Sequence, residues 1–208
     1  MITFVFQKLA EVGINDIILV IRKKQEKVFK SALDGYEKYG VKNLSYAFDP
    51  PHSKGLVNAL YYAKGHFKAD EDIMVTCSDV LIDRSIKQLV DDFREQKDGA
   101  RLLGLKTNDT AGFSKLKIKE GSVLEILPKD KESYTPGVID SGTYIFKQDV
   151  FKKIEAIKKN KENPEIWELN KEYIKKDNLF CTVIGGWWSD VGNSLETFYN
   201  VRSEYENT

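Results

Sequence analysis

The chain has 208 residues, 41% of them hydrophobic, and its 32 Lys and Arg balance its 32 Asp and Glu, so the formal net charge is zero. That length supports one well-buried domain, and a neutral chain has no bulk field to draw in nucleic acid or an anionic membrane, so recognition has to be local. No apolar run approaches the roughly 20 residues needed to span a bilayer, and the opening Met1-Ile2-Thr3-Phe4-Val5-Phe6 lacks the basic leader and small-residue cleavage site of a secretory signal; a soluble cytoplasmic protein is expected.

In chain order, apolar runs of strand length alternate with longer amphipathic runs, the pattern of a sheet covered by helices. Strands are predicted at Asp16–Ile21, Asn43–Phe48 and Ile73–Cys77, followed by helices at Gln25–Tyr39, Gly55–Phe67 and Ser85–Gln96. Short strands at Ala100–Lys106, Ser114–Ile118 and Val123–Leu127, with Gly121 marking a hairpin turn, predict an antiparallel insertion. After a strand at Val138–Phe146, helices are expected from Asp149 and across Pro164–Lys175, where Pro suits the first turn. Leu179–Ile184 reads as the last strand, and Ser194–Glu206 as a closing helix capped by Asn193. The reading is therefore one α/β domain over residues 1–208: a Rossmann-like, mixed, mostly parallel sheet with helices on both faces and a small antiparallel insertion at about 100–146.

Two carboxylates carry the chemistry. Asp79 follows an apolar strand, and Asp190 lies in Gly185-Gly186-Trp187-Trp188-Ser189-Asp190-Val191-Gly192, between aromatics and a glycine turn. Carboxylates at neighbouring strand ends can grip a hard divalent cation, which prefers oxygen ligands and takes phosphates from a substrate. The competing readings are a helix-capping Asp79 and a turn-forming Asp190. Cys77 and Cys181 lie in apolar runs with no C-x-x-C partner and read as small core residues; His52 and His66 show no ligand spacing and read as surface residues.

Taken in order, Glu11-Val12-Gly13-Ile14-Asn15-Asp16-Ile17-Ile18-Leu19-Val20, Lys54-Gly55-Leu56-Val57-Asn58-Ala59-Leu60, Thr76-Cys77-Ser78-Asp79-Val80, Ala111-Gly112-Phe113, Asp140-Ser141-Gly142-Thr143-Tyr144-Ile145-Phe146 and Trp187-Trp188-Ser189-Asp190-Val191-Gly192 resemble the sugar-phosphate nucleotidyltransferases, in particular the glucose-1-phosphate thymidylyltransferase-like group. The resemblance implies that a nucleoside triphosphate and a sugar 1-phosphate combine to an NDP-sugar and pyrophosphate. It makes Asp79 and Asp190 the catalytic ligands of Mg2+, Trp187 or Trp188 the floor under the sugar, and Gly112 and Gly142 close-approach glycines of the sugar side. The Asp49-Pro50-Pro51-His52-Ser53-Lys54-Gly55 loop corresponds to the segment that reads the nucleobase, with Gly55 admitting the base to the backbone and Asp49 where a glutamine is common. Where the family has Glu-Lys-Pro, this chain has Glu125-Ile126-Leu127-Pro128-Lys129, leaving Lys129 or Lys131 as the cation for the sugar phosphate. Asp140 replaces a common asparagine.

Family members normally carry one more strand and a G-x-G-T-R-L loop ahead of the first matched segment, and nothing in the 208 residues corresponds to it. Backbone N–H groups of such a loop cradle the phosphates, so little turnover is expected of this stretch alone. The missing strand is central in the family, and its loss leaves its neighbours with unpaired edges. Met1–Phe6 has the composition to fill the gap, whereas the resemblance makes Met1–Val12 the first helix. A related non-catalytic protein that binds a sugar nucleotide is the alternative function. A glycosyltransferase is disfavoured because Asp70-Glu71-Asp72 precedes a strand rather than ending one. Neither nucleic acid nor membrane is an expected partner, and homo-oligomer formation is left open.

Overall fold

The computed structural model describes residues 1–68, 70–132 and 134–192; the closing helix expected from Ser194 with its Asn193 cap lies outside them. The first element is helix α1 (Ile2–Glu11), which buries Phe6 and Leu9. Ile2, Phe6 and Leu9 recur at helical spacing, so the opening segment is helical and does not supply a strand. The helix ends in paired C-terminal bonds, Gly13 N–H to the Ala10 carbonyl at 3.0 Å and Ile14 N–H to that of Leu9 at 2.9 Å.

Strands β1 (Asp16–Arg22) and β2 (Asn43–Asp49) pair in parallel, Arg22 opposite Asp49. Between them the predicted long helix divides into α2 (Glu26–Ala32) and a 3-10 turn at Tyr36–Tyr39, with Gly35 at the break. Helix α3 (Gly55–Ala63) leads to β3 (Ile73–Thr76), β4 (Val80–Ile82) and α4 (Lys87–Glu95). Then follow β5 (Ala100–Thr107), the hairpin β6 (Lys115–Lys119) and β7 (Ser122–Leu127), and β8 (Gly137–Phe146). Helices α5 (Val150–Lys158) and α6 (Ile166–Ile174), strand β9 (Leu179–Ile184) and the short β10 (Trp188–Asp190) complete the described chain.

Six strands form one sheet in the order β3-β8-β5-β9-β7-β6. Strands β3, β5, β9 and β6 run one way; β8 and β7 run against them. Alternation along the central strands feeds two cores. Leu102, Tyr144 and Phe146 face α3, α5 and α6 through Val57, Leu60, Ile154 and Leu169, whereas Leu103, Leu105 and Ile145 face α1 and α4 through Leu9, Leu89 and Phe93. The α/β architecture with helices on both faces is thus the one the sequence implies. Strands β5 and β8, predicted within the antiparallel insertion, lie side by side at the centre of the sheet, and β6–β7 is the excursion.

The β1–β2 pair stands apart as its own sheet. Among the described residues, β1 bonds only β2 and β3 bonds only β8. Ile17 of β1 and Met74 of β3 nevertheless pack on the same apolar cluster. The run Ile17-Ile18-Leu19-Val20 has the continuous apolar character of a strand covered on both faces, yet it is only half-buried. Among the described residues, β1 and β3 therefore each have one edge without a ladder partner.

Leu102 is fully buried between β8 and β9, so Leu102→Ala should lower unfolding free energy by about 2–5 kcal/mol through lost burial and the cavity left behind. Urea unfolding with an unchanged midpoint would show that this sheet is not the stabilising core.

Candidate functional site

The ladder between β10 and β4 builds the site. Trp188 pairs with Ile82, Ser189 with Leu81 and Asp190 with Val80, antiparallel, and Val191 N–H donates to the Asp79 carbonyl at 2.8 Å. This register sets Asp190 beside Asp79, although they belong to distant parts of the chain. A methyl group built on Gly192 would lie 2.6 Å from Asp79 Oδ2 and 3.3 Å from Asp190 Oδ1. Both oxygens therefore sit within 3.3 Å of one point, well inside the roughly 8 Å over which two carboxylates can share an ion directly or through a water. Asp190 Oδ1 also accepts the Gly192 N–H at 3.0 Å, so its turn-forming role coexists with its position beside Asp79.

Cys77 precedes Asp79 by two residues and feels the charges of this group. Burial pushes its thiol up to about 11, and the charges of Asp79, Asp140 and Asp190 add to that effect while Lys129 opposes it. Three carboxylates and one lysine thus act electrostatically on a single side chain. Lys129, exposed at the end of the β7 segment, also acts on Asp140. Burial raises the Asp140 carboxyl, and hydrogen bonds from the Tyr144 hydroxyl at 2.6 Å and the Gly142 N–H at 3.0 Å work against the rise.

A bulge in β8 makes that arrangement. Across from β5 the register passes from Leu102/Tyr144 to Gly104/Asp140, so β8 carries extra residues opposite one step of its partner. Gly142 sits in the bulge at φ 75°, its carbonyl accepts the Cys77 N–H at 3.3 Å, and a Cβ there would meet Cys77 Sγ at 2.9 Å. Both the backbone angle and the contact require glycine.

The aromatic pair divides its work. Trp187 packs on Leu81 and Val191. Trp188 meets Phe113 edge to face, with ring centroids 5.2 Å apart and planes at 84°. Gly112 therefore lies next to the Trp188 contact; its N–H bonds the Asp130 carbonyl at 2.9 Å and the space beyond its Cα is open.

The Asp49–Gly55 loop lies at the carboxyl ends of β1 and β2, before α3. Asp49 is ion-paired with Arg22 at 3.0 Å. Gly55 has φ 79°, so its backbone angle calls for glycine whether or not a base approaches it. On the far side of the loop, Asn163 Oδ1 accepts Lys54 N–H at 2.9 Å and Asn58 Nδ2 at 2.7 Å. Arg22 and Asn163 had no motif to mark them, whereas Asn58 and Asp140 fall within matched segments without a role assigned from them: Arg22 matters through its register opposite Asp49, and Asp140 through a bulge that strand periodicity does not encode. His52 and His66 are exposed, as expected. Among the described residues no three His, Cys, Asp or Glu side chains converge as a metal site, so an ion held by Asp79 and Asp190 would need further oxygens from substrate or water.

The family model described as nucleotidyl transferase matches residues 1–208, and the chain belongs to that family. The mannose-1-phosphate guanylyltransferase catalytic subunit beta of Dictyostelium discoideum is 23% identical over 199 residues, covering 92% of this chain and 52% of the relative. This chain thus spans about half the length of the curated relatives it matches. A Bacillus anthracis structure, described as a glucose-1-phosphate thymidylyltransferase in complex with a sucrose, superposes with a TM-score of 0.85 at 24% identity, covering 97% of this chain and 80% of that one. HddC from Yersinia pseudotuberculosis does so with a TM-score of 0.74 at 18% identity, covering 98% and 84%. At these identities the structural likeness establishes the fold.

Both cysteine thiols are held up by burial, Cys77 to about 11 and Cys181 to about 12. Alkylation by iodoacetamide at pH 8 should be slow in the folded protein and fast in urea. The unfolded thiols, near 9.0, lose protons first, so stability should fall as pH rises from about 9 towards 11. Rapid labelling of Cys77 at pH 8 without denaturant would show that its burial is not maintained.

Proposed function

We propose that this chain provides the substrate-binding and metal-binding platform of a sugar-1-phosphate nucleotidyltransferase, which joins a nucleoside triphosphate and a sugar 1-phosphate to an NDP-sugar and pyrophosphate. The observation that carries the reading is the convergence of Asp79 and Asp190 around Gly192, at the sheet ends where open α/β folds place ligands. Two hard anionic oxygens in this arrangement suit Mg2+, with Asp79 and Asp190 as its protein ligands. Bound there, the ion would neutralise phosphate charge during the transfer.

The chain's own residues would position the reactants. Lys129, the cation already acting on Cys77 and Asp140, is suited to the sugar phosphate. Gly112 leaves room for sugar hydroxyls near the backbone, with Trp187 and Trp188 alongside. Gly142 keeps β8 close to Cys77, supporting the floor below. The Asp49–Gly55 loop would face the base. In-line attack by the sugar phosphate oxygen on the α-phosphorus needs no covalent intermediate, so holding the two phosphates in line is most of the catalytic task. A cytoplasmic setting, where nucleoside triphosphates are available, fits this chemistry. The names of the relatives point to both guanylyl and thymidylyl transfer, so the base remains part of the test.

Binding is the primary test. Asp190→Asn retains an oxygen to accept the Gly192 N–H and removes one charge, so it should weaken Mg2+-dependent binding of an NDP-sugar by tenfold or more, on the order of a charge-assisted interaction, with metal-free thermal stability unchanged. Loss of stability with binding intact would make Asp190 a turn residue only. A second relation to substrate, binding of a sugar nucleotide without transfer, is separated by pyrophosphate release: this stretch alone has no counterpart of the G-x-G-T-R-L loop and is expected to turn over far below roughly 1 s⁻¹.

A further inference from the structure

We infer that Arg22 is a positioning residue that locks the Asp49–Ser53 loop, so that the base is read by the loop's main chain and the Asp49 carboxylate serves as an anchor for Arg22. This rests on the proposed nucleotide site. Arg22 closes β1 directly opposite Asp49 in the parallel ladder. Its own N–H donates to Gln25 Oε1 at 3.0 Å, which fixes its backbone. Its guanidinium reaches three groups of the loop: the Asp49 carboxylate at 3.0 Å, the Pro50 carbonyl, and the Ser53 carbonyl at 2.5 Å. A planar fork of donors can hold several acceptors in one fixed arrangement, which a lysine's single ammonium cannot reproduce.

The rest of the loop completes the clamp. Ser53 N–H returns to the Pro50 carbonyl at 2.9 Å, and Ser53 is buried, only 1% exposed. Beyond it, the Lys54 carbonyl accepts Asn58 Nδ2 at 3.0 Å while Lys54 N–H is held by Asn163. The loop is therefore fastened to β1 on one side and to α3 and the 162–164 turn on the other. Asp49 is only 14% exposed at its side chain, and its Oδ2 is engaged by the guanidinium at 3.0 Å. A loop already held in its binding shape saves the ordering cost of capturing a base, and the contribution is the same for every base it admits.

The test uses the 208-residue chain with Mg2+, titrated calorimetrically with GTP and with dTTP, alongside Arg22→Met, Arg22→Lys and Asp49→Asn, with thermal unfolding of each. Arg22→Met should weaken both nucleotides about tenfold, the loss expected when charge-assisted bonds to a loop are removed. Arg22→Lys should recover part of that loss, and Asp49→Asn should weaken both nucleotides a few-fold, with the GTP to dTTP affinity ratio of wild type preserved. A changed ratio in Asp49→Asn would show that Asp49 reads the base and overturn the inference, even if Arg22→Met failed to fold. Unaltered affinities in Arg22→Met would overturn it too, leaving the proposed function standing. No binding of either nucleotide to the wild-type chain would remove both.

Discussion

Everything at the site depends on a three-residue ladder that holds two like charges together. Asp79 and Asp190 repel each other, by about 1 kcal/mol at 4 Å in water and about 4 kcal/mol in a more protein-like surrounding. Against this stand the side chains that the same ladder buries: Leu81, Ile82 and Val191 are each no more than 7% exposed. Each such burial contributes about 1.5–3 kcal/mol, so packing outweighs repulsion between carboxylates that remain in contact with water. The arrangement is accordingly built before any ligand arrives. Under the proposed function, a cation or a phosphate-bound metal complex would meet oxygens that need not be gathered, which is where preorganisation contributes to a transfer without a covalent intermediate.

The second constraint is the β8 bulge. A regular strand would have kept Asp140 and Gly142 in the alternating pattern of the sheet; with the bulge, Gly142 closes on Cys77 and Asp140 accepts the Tyr144 hydroxyl. Asp140 acts on Cys77 together with Asp79 and Asp190, and Lys129 opposes them. The loop at Asp49 is organised by different means. There a guanidinium holds carbonyls and a carboxylate, and the shape comes from hydrogen bonds with little apolar packing.

The six-stranded sheet and the β1–β2 pair differ in cover. Strands β5 and β8 are buried on both faces, whereas β1 and β2 have half-buried aliphatic residues and share no ladder with β3 among the described residues. The apolar contact of Ile17 and Met74 with one cluster joins them instead. Side-chain packing is less directional than a ladder, so this junction tolerates more adjustment than the rest of the sheet.

The linear chain carried the element types. Alternation marked most strands within a residue or two, helical spacing marked α3, α4 and α6, the family resemblance pointed to α1 where composition also allowed a strand, and the motif order led to the nucleotidyl transferase family. Asp79 and Asp190 were visible because strand ends and glycine turns are local signals. What local signals could not contain was register. Residues that alternate along β5 and β8 look the same in an insertion and at the centre of a sheet, so their place was settled by pairing with β9. The β4–β10 ladder is too short for periodicity to reveal. Arg22 carries no motif, and its grip on Asp49 exists because parallel pairing sets the two side by side. The long predicted helix after β1 divides at Gly35, where turn geometry outweighs amphipathic pattern. Composition and spacing act over a few residues and therefore specify elements; partners distant in sequence meet only when backbone bonds and buried surface choose one register among several.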